Sequence, residues 1–136
     1  MSIQRKCGVA QMERLVSEKQ SFVILCVDDD SVGLTTRRMV LMAAGYEVLT
    51  AVSGAGAFRL LQRKHVDLVI TDHFLPGMSG AELTVAAKKL NPQLPIILLS
   101  GAIEPLPGCE QADLVVTKGS SPEEFLNMIA QLLGKK

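Results

Sequence analysis

The sequence has no tryptophan and one tyrosine, and aromatic residues make up 4% of its 136 residues. So few rings offer little surface for stacking bases, which argues against nucleic-acid binding. Basic and acidic residues number 14 each, so no net charge attracts nucleic acid or an acidic membrane. No apolar run approaches the roughly 18 residues of a membrane span. The first twenty residues lack the apolar block of a signal peptide.

Cysteine is also scarce. Cys7, Cys26 and Cys109 are odd in number, far apart and in no C-x-x-C spacing. This pattern suits a reducing compartment, and we expect a cytoplasmic protein. Cys26 stands in an apolar run and is predicted to be a core residue. With 48% apolar and 21% charged residues, the composition is that of one globular domain.

Short apolar runs alternate with helical patterns after about residue 21. Strands are predicted at 22–27, 46–52, 66–71, 95–100 and 113–117. Helices are predicted at 31–44, 55–64, 81–90 and from about 122 to 133, the last with a capping box of Ser121 and Glu124. The alternation predicts an α/β fold, a flavodoxin-like doubly wound five-stranded parallel sheet of order 2-1-3-4-5.

One connection interrupts this alternation. Residues 101–112 contain Pro105 and Pro107, so the fourth helix, between the last two strands, is predicted to be shortened or missing. Residues 1–20 are predicted to be an N-terminal extension, and residues 21–136 the folded domain.

Polar residues stand where the predicted strands end. They are Asp28 and Asp29 after the first strand, Asp72 after the third, Ser100 at the end of the fourth and Lys118 after the fifth. In an open parallel sheet the ligand site lies beyond the carboxyl ends of the strands, at the switch point between strands 1 and 3. All five side chains are therefore predicted to face one crevice.

The residue types indicate the chemistry of this crevice. Asp28 and Asp29 repel each other unless a cation lies among them. Clustered carboxylate oxygens form a hard-oxygen site suited to Mg²⁺. A carboxylate opposite an ammonium and a hydroxyl can accept a phosphoryl group. Lys118 and the metal would neutralise charge on the transferring oxygens, and Ser100 would donate a hydrogen bond.

Four segments together resemble a known family. In chain order, ILCVDDDS, VITDHFLPGMSG, PIILLSG and LVVTKG are similar to the response-regulator receiver domains of two-component signalling. The resemblance covers about residues 21–134. It implies a signalling domain rather than an enzyme, with at most self-phosphorylation and autodephosphorylation. The domain would receive its phosphoryl group from a phosphohistidine on a sensor histidine kinase or phosphotransfer protein. It would signal by conformational change to an unknown downstream protein.

The resemblance also implies residue roles. Asp72 would be the phosphoacceptor, and Ser100 and Lys118 the switch hydroxyl and the phosphate-contacting lysine. Asp29 would bind Mg²⁺ directly, Asp28 would act mostly through a metal-bound water, and Asp72 and the backbone carbonyl of Phe74 would complete the protein ligands.

Three positions depart from the family pattern. Lys118 is followed by Gly119 instead of the proline whose peptide bond is usually cis. Because a cis bond without proline costs about 2.5–4 kcal/mol, we predict a trans bond here. Val115 replaces an aromatic switch residue. Phe74, two residues after the phosphoacceptor, is a bulky ring that we expect to limit attacking water and to prolong the phosphorylated state.

Two other functions remain open. A pseudo-receiver, an interaction module that is not phosphorylated, fits the altered switch and the shortened helix. A haloacid-dehalogenase-like phosphatase fits VDDDSV as a D-x-D-x-V motif, with Asp28 as nucleophile and Asp30 as acid/base. The phosphatase hypothesis leaves Asp72 without a role and offers only Glu123 and Glu124 as acids after the lysine.

Three further polar residues are assigned to the surface. His73 is predicted to be an exposed side chain near the mouth of the crevice, and His65 a surface residue. Asp30 is predicted to be solvated at a helix start, where negative charge is favourable.

Overall fold

The fold is an alternation of strands and helices in the computed structural model, which describes residues 21–101 and 108–134. The elements of these residues are β1 (Val23–Val27), α1 (Ser31–Ala43), β2 (Glu47–Ala51), α2 (Gly54–Arg63), β3 (Leu68–Asp72), α3 (Gly80–Leu90), β4 (Ile96–Ser100), β5 (Leu114–Thr117) and α4 (Pro122–Gly134). All five strands are parallel, in the order β2-β1-β3-β4-β5. The predicted flavodoxin-like sheet is confirmed.

The sheet has a hydrophobic core on each face. Because side chains alternate along a strand, Ile24 and Cys26 pack into one core, and Leu25 and Val27 into the other. The first core also takes residues of α1 and α4, and the second takes residues of α2 and α3. Burial on both faces explains why β1, β3 and β4 are continuous apolar runs rather than alternating ones.

Side chains cap the starts of the helices. Ser53 accepts a hydrogen bond from Gly56 N–H at the start of α2, and Ser121 and Glu124 form the predicted reciprocal capping box of α4. A second capping box, formed by Ser79 and Glu82, starts α3 and was not predicted. Each cap satisfies backbone donors that have no partner within the helix.

The connection between β4 and β5 is described at residue 101 and from residue 108 onward, where it forms turns rather than a helix. The remainder, 102–107, lies outside the described residues, so the shortened or missing fourth helix stays a prediction there. The predicted N-terminal extension, 1–20, lies outside them as well.

An ion pair fixes β5, an edge strand, against the rest of the sheet. Lys88 Nζ, near the end of α3, is 2.8 Å from Asp113 Oδ2 and 2.8 Å from the carbonyl oxygen of Leu94. The same carboxylate oxygen accepts the N–H of Ile96 at 2.8 Å. Asp113 directly precedes β5, so these contacts join α3, β4 and β5 at the end of the sheet opposite Lys118.

We expect Lys88→Met to lower the free energy of unfolding by about 1 kcal/mol, because it removes a partly buried charge pair and leaves the Leu94 carbonyl without this donor. Chemical denaturation measures the change. Lys89→Met is the matched control, since Lys89 is an exposed neighbour on the same helix. Equal stability of the two variants would contradict a structural role for the Lys88 contacts.

Candidate functional site

The register of the sheet brings the ends of four strands to one level. Val27 of β1 is paired with Thr71 of β3, so Asp28 and Asp72 follow side by side. Leu99 of β4 is paired with Asp72, which sets Ser100 just beyond it. The N–H of Lys118 then donates to the carbonyl oxygen of Ser100 at 3.1 Å. Backbone pairing therefore gathers four of the predicted strand-exit residues, and the fifth, Asp29, directly follows Asp28.

Three of these residues form an acidic cluster. One carboxylate oxygen from each of Asp28, Asp29 and Asp72 lies within 4.8 Å of the other two. Asp28 and Asp72 are buried, whereas Asp29 is exposed. Carboxylates held this close, two of them away from water, repel one another and favour a bound cation.

Lys118 supplies one positive charge to this cluster. Its Nζ lies 3.0 Å from Asp72 Oδ1, with the carboxylate buried and the lysine side chain 44% exposed. The contact is a close charge pair between the Lys118 ammonium and the Asp72 carboxylate. Ser100 is buried at the end of β4, one residue beyond the partner of Asp72.

Arg37 supplies a second positive charge that the sequence analysis did not identify. Its Nη1 lies 3.3 Å from Asp28 Oδ2, and both side chains are largely buried. A signal for it existed in the sequence. Arg37 stands three residues after Leu34 and four before Leu41, both buried, so helical periodicity places it on the inward face of α1. A charge on such a face requires a partner.

The prediction that His73 is exposed was wrong. His73 is buried, with its Nδ1 4.0 Å from Cys109 Sγ and its ring edge-on to that of Phe74 at 4.7 Å. The backbone N–H of His73 donates to the carbonyl oxygen of Leu99, and this bond extends the sheet pairing one residue past β3. The start of α3 packs closely against His73 because Gly80 has no side chain. The N–H of Gly80 donates to the backbone carbonyl oxygen of His73 at 2.8 Å.

Several smaller predictions are confirmed. The Lys118–Gly119 peptide bond is trans. Asp30 is exposed at the start of α1, where its side chain accepts the N–H of Val32. His65 is exposed and pairs with Asp67 at 2.8 Å. Cys26 is a core residue, and burial raises the pKa of its thiol to about 12 while the nearby Arg37 charge opposes this shift.

The acidic cluster fits a hard divalent cation such as Mg²⁺. Three carboxylates provide oxygen ligands only, which is the donor set that Mg²⁺ prefers. Asp72 Oδ1 is buried 3.0 Å from Lys118 Nζ, and a carboxylate oxygen with one partner retains a lone pair for a second. Asp29, the exposed member, leaves the cluster open to solvent, which matches the tendency of Mg²⁺ to retain waters.

The doubly wound sheet, the acidic cluster at its switch point and the lysine paired with Asp72 agree with the receiver-type fold and site expected from the sequence. The family model of the response regulator receiver domain matches residues 24–130. The chain therefore belongs to the response regulator receiver domain family. Of the four helices in the described ranges, none combines the length and apolar character needed to cross a membrane.

Solved structures agree along nearly their whole lengths. A CheY-like receiver domain protein from Methanospirillum hungatei is 29% identical with a TM-score of 0.80, covering 85% of this chain and 95% of that one. The response regulator TrrA from Thermotoga maritima, solved in complex with Mg²⁺-BeF, is 31% identical with a TM-score of 0.79, covering 82% of this chain and 99% of that one.

Curated relatives are longer proteins. The transcriptional regulatory protein GlrR of Escherichia coli is 42% identical over 77 residues, which is 57% of this chain and 17% of that protein. The probable transcriptional regulatory protein TcrX of Mycobacterium tuberculosis is 33% identical over 121 residues, 86% of this chain and 52% of that protein. The chain thus spans about half or less of these relatives.

The close approach at Gly80 generates a prediction. A Cβ at this position would lie 2.3 Å from the Asp72 carbonyl oxygen and 2.8 Å from His73 Cα. We expect Gly80→Ala to lower the free energy of unfolding by about 1–3 kcal/mol, because backbone atoms must shift. Denaturation against Gly119→Ala tests this, since a Cβ on Gly119 meets no described atom within 4 Å. Equal free energies of unfolding of the two variants would show that the backbone at the start of α3 can shift at little energetic cost.

Proposed function

We propose that this receiver domain accepts a phosphoryl group on Asp72 from a phosphohistidine donor and passes the signal to a protein partner by a conformational change. One observation carries the proposal. Asp72 Oδ1 is buried and lies 3.0 Å from Lys118 Nζ, and the Asp72 carboxylate has an oxygen within 4.8 Å of oxygens of Asp28 and Asp29. It is an oxygen nucleophile next to one ammonium group that stabilises negative charge and two carboxylates that can hold a cation.

In the transfer, an Asp72 carboxylate oxygen attacks phosphorus and the bond from phosphorus to the donor nitrogen breaks. The product is an acyl phosphate on Asp72, and the released imidazole of the donor takes up a proton. Lys118 interacts with the phosphoryl oxygens that carry the developing charge, and Ser100 donates a hydrogen bond to one of them.

Asp28, Asp29, Asp72 and the backbone carbonyl of Phe74 are the proposed ligands of a Mg²⁺ ion. When bound, this ion supplies positive charge that neutralises the transferring oxygens. The donor is a sensor histidine kinase or a phosphotransfer protein, as in two-component systems generally. Receiver segments in the sensor kinases LuxN of Vibrio harveyi and RcsC of Escherichia coli, 38% and 33% identical over 82 and 85 residues, support this class of partner.

The signalling step follows from the added charge. A doubly charged phosphoryl group on Asp72 attracts Lys118 and Ser100, and it repels Asp28 and Asp29 unless a cation is bound. Val115 is a half-exposed aliphatic residue on β5, so no aromatic side chain reports the change at this position. We expect the loops after β3 and β4 to carry it instead.

Intact mass after incubation with acetyl phosphate and Mg²⁺ tests the proposal. We expect one added phosphoryl mass, lost in the presence of a chelator and lost in Asp72→Asn. Glu47→Gln is the matched control, because Glu47 is an exposed carboxylate at the opposite end of the sheet. No adduct from either acetyl phosphate or a phosphorylated kinase would favour the pseudo-receiver. An adduct retained in Asp72→Asn would place the acceptor elsewhere.

Phe74 is expected to prolong the phosphorylated state. Its side chain is 63% exposed beside the mouth of the site, where the ring can cover the acyl phosphate against attacking water. After donor removal we expect Phe74→Asn to lose the adduct at least about threefold faster than the parent. Phe74→Leu keeps apolar bulk and the backbone carbonyl and should decay like the parent. Equal decay of all three proteins would rule out the shielding role.

A further inference from the structure

Arg37 is the feature of the acidic cluster that neither the family resemblance nor the proposed transfer uses. Two cationic side chains of the described residues contact the cluster, Lys118 at Asp72 and Arg37 at Asp28. The two side chains differ in how far they are exposed to solvent. The Lys118 side chain is 44% exposed, whereas that of Arg37 is 17% exposed and lies between α1 and the sheet.

Both oxygens of Asp28 are already engaged by groups of this chain. Oδ1 accepts the N–H of Asp30 at 2.9 Å, and Oδ2 pairs with Arg37 Nη1 at 3.3 Å. Asp72 also has a counter-charge, because Lys118 Nζ lies 3.0 Å from its Oδ1, but that lysine side chain is 44% exposed. Of the two buried carboxylates in the cluster, Asp28 therefore has the more deeply buried cationic partner.

The helix geometry directs Arg37 toward the cluster. Side chains on a helix tilt toward its N-terminus, so Arg37, on the second turn of α1, points back over Gly33. A Cβ on Gly33 would lie 3.6 Å from Asp28 Oδ2 and 3.2 Å from Asp30 Oδ2. Because Gly33 has no side chain, the space next to Asp28 is available to the guanidinium of Arg37, which is one helical turn further along.

We propose that Arg37 is a resident counter-cation of the acidic cluster, which stabilises the metal-free domain and competes with a divalent ion for Asp28. A cation that binds Asp28 Oδ2 must share this oxygen with the guanidinium or displace it, and one that binds Oδ1 still meets the nearby positive charge. The affinity of the cluster for Mg²⁺ is therefore lower than its three carboxylates alone would give. This inference rests on the proposed function, since it takes the cluster to be the metal site.

The test compares Arg37→Met with Arg38→Met. Both variants lose one positive charge from the same helix, but Arg38 is exposed and contacts none of the three carboxylates among the described residues. Titration calorimetry with Mg²⁺ at low salt measures the affinity. We expect Arg37→Met to bind on the order of threefold to tenfold more tightly than Arg38→Met, because a nearby positive charge no longer opposes the ion.

Thermal unfolding provides an independent readout. With a chelator present, we expect Arg37→Met to unfold at a lower temperature than Arg38→Met, because Asp28 loses its partner. Saturating Mg²⁺ should remove this difference. A residue that only packed the helix would lower stability without tightening metal binding. If Arg37→Met does not fold, Arg37→Gln keeps donors and volume but loses the charge, and it should show the same gain in affinity.

The outcomes separate the two proposals. If the parent binds Mg²⁺ and the Arg37 variants bind it no more tightly than Arg38→Met, the counter-cation role is overturned while the receiver function stands. If neither the parent nor any variant binds a divalent ion and no phosphoryl adduct forms, the proposed function itself fails. If the parent binds weakly and the Arg37 variants bind tightly, the counter-cation role is supported, and a phosphoryl adduct lost in Asp72→Asn supports the proposed function.

Discussion

The mutual repulsion of three carboxylates at one edge of a parallel sheet is the constraint on which the site depends. Asp28, Asp29 and Asp72 meet because the carboxyl ends of β1 and β3 lie at the same level, and hydrophobic packing on both faces keeps the strands there. The fold therefore bears an electrostatic cost that local rearrangement cannot relieve. Arg37 and Lys118 offset part of it in the metal-free chain.

The two cations are held in ways that suit different tasks. Arg37 extends from the middle of a helix whose Leu34 and Leu41 are buried, so its position is set by core packing. Lys118 follows an edge strand, is half exposed and is tied to the sheet mainly by its backbone bond to Ser100. We therefore expect Lys118 to follow a charge that arrives on Asp72, whereas Arg37 stays near Asp28.

The sequence predicted the sheet order and the strand-exit residues, because buried parallel strands form continuous apolar runs and their polar ends fall on one edge. It predicted neither the Arg37–Asp28 pair nor the burial of His73. The inward position of Arg37 can be recognised only when the buried face of α1 is known, and that face depends on which leucines pack inward. The position of His73 depends on a close approach of α3 at Gly80, a tertiary contact that strand and helix patterns do not encode.

The same geometry weighs against the phosphatase alternative. A nucleophilic carboxylate needs an oxygen with lone pairs directed at the substrate. Both Asp28 oxygens are engaged by Asp30 N–H and Arg37, and the Asp30 side chain caps α1 instead of facing the cluster. Asp72 Oδ1 is buried 3.0 Å from the Lys118 ammonium. The two carboxylates thus differ in how the chain satisfies them, and this difference agrees with the proposed roles of Asp72 as the reacting group and Asp28 as a supporting one.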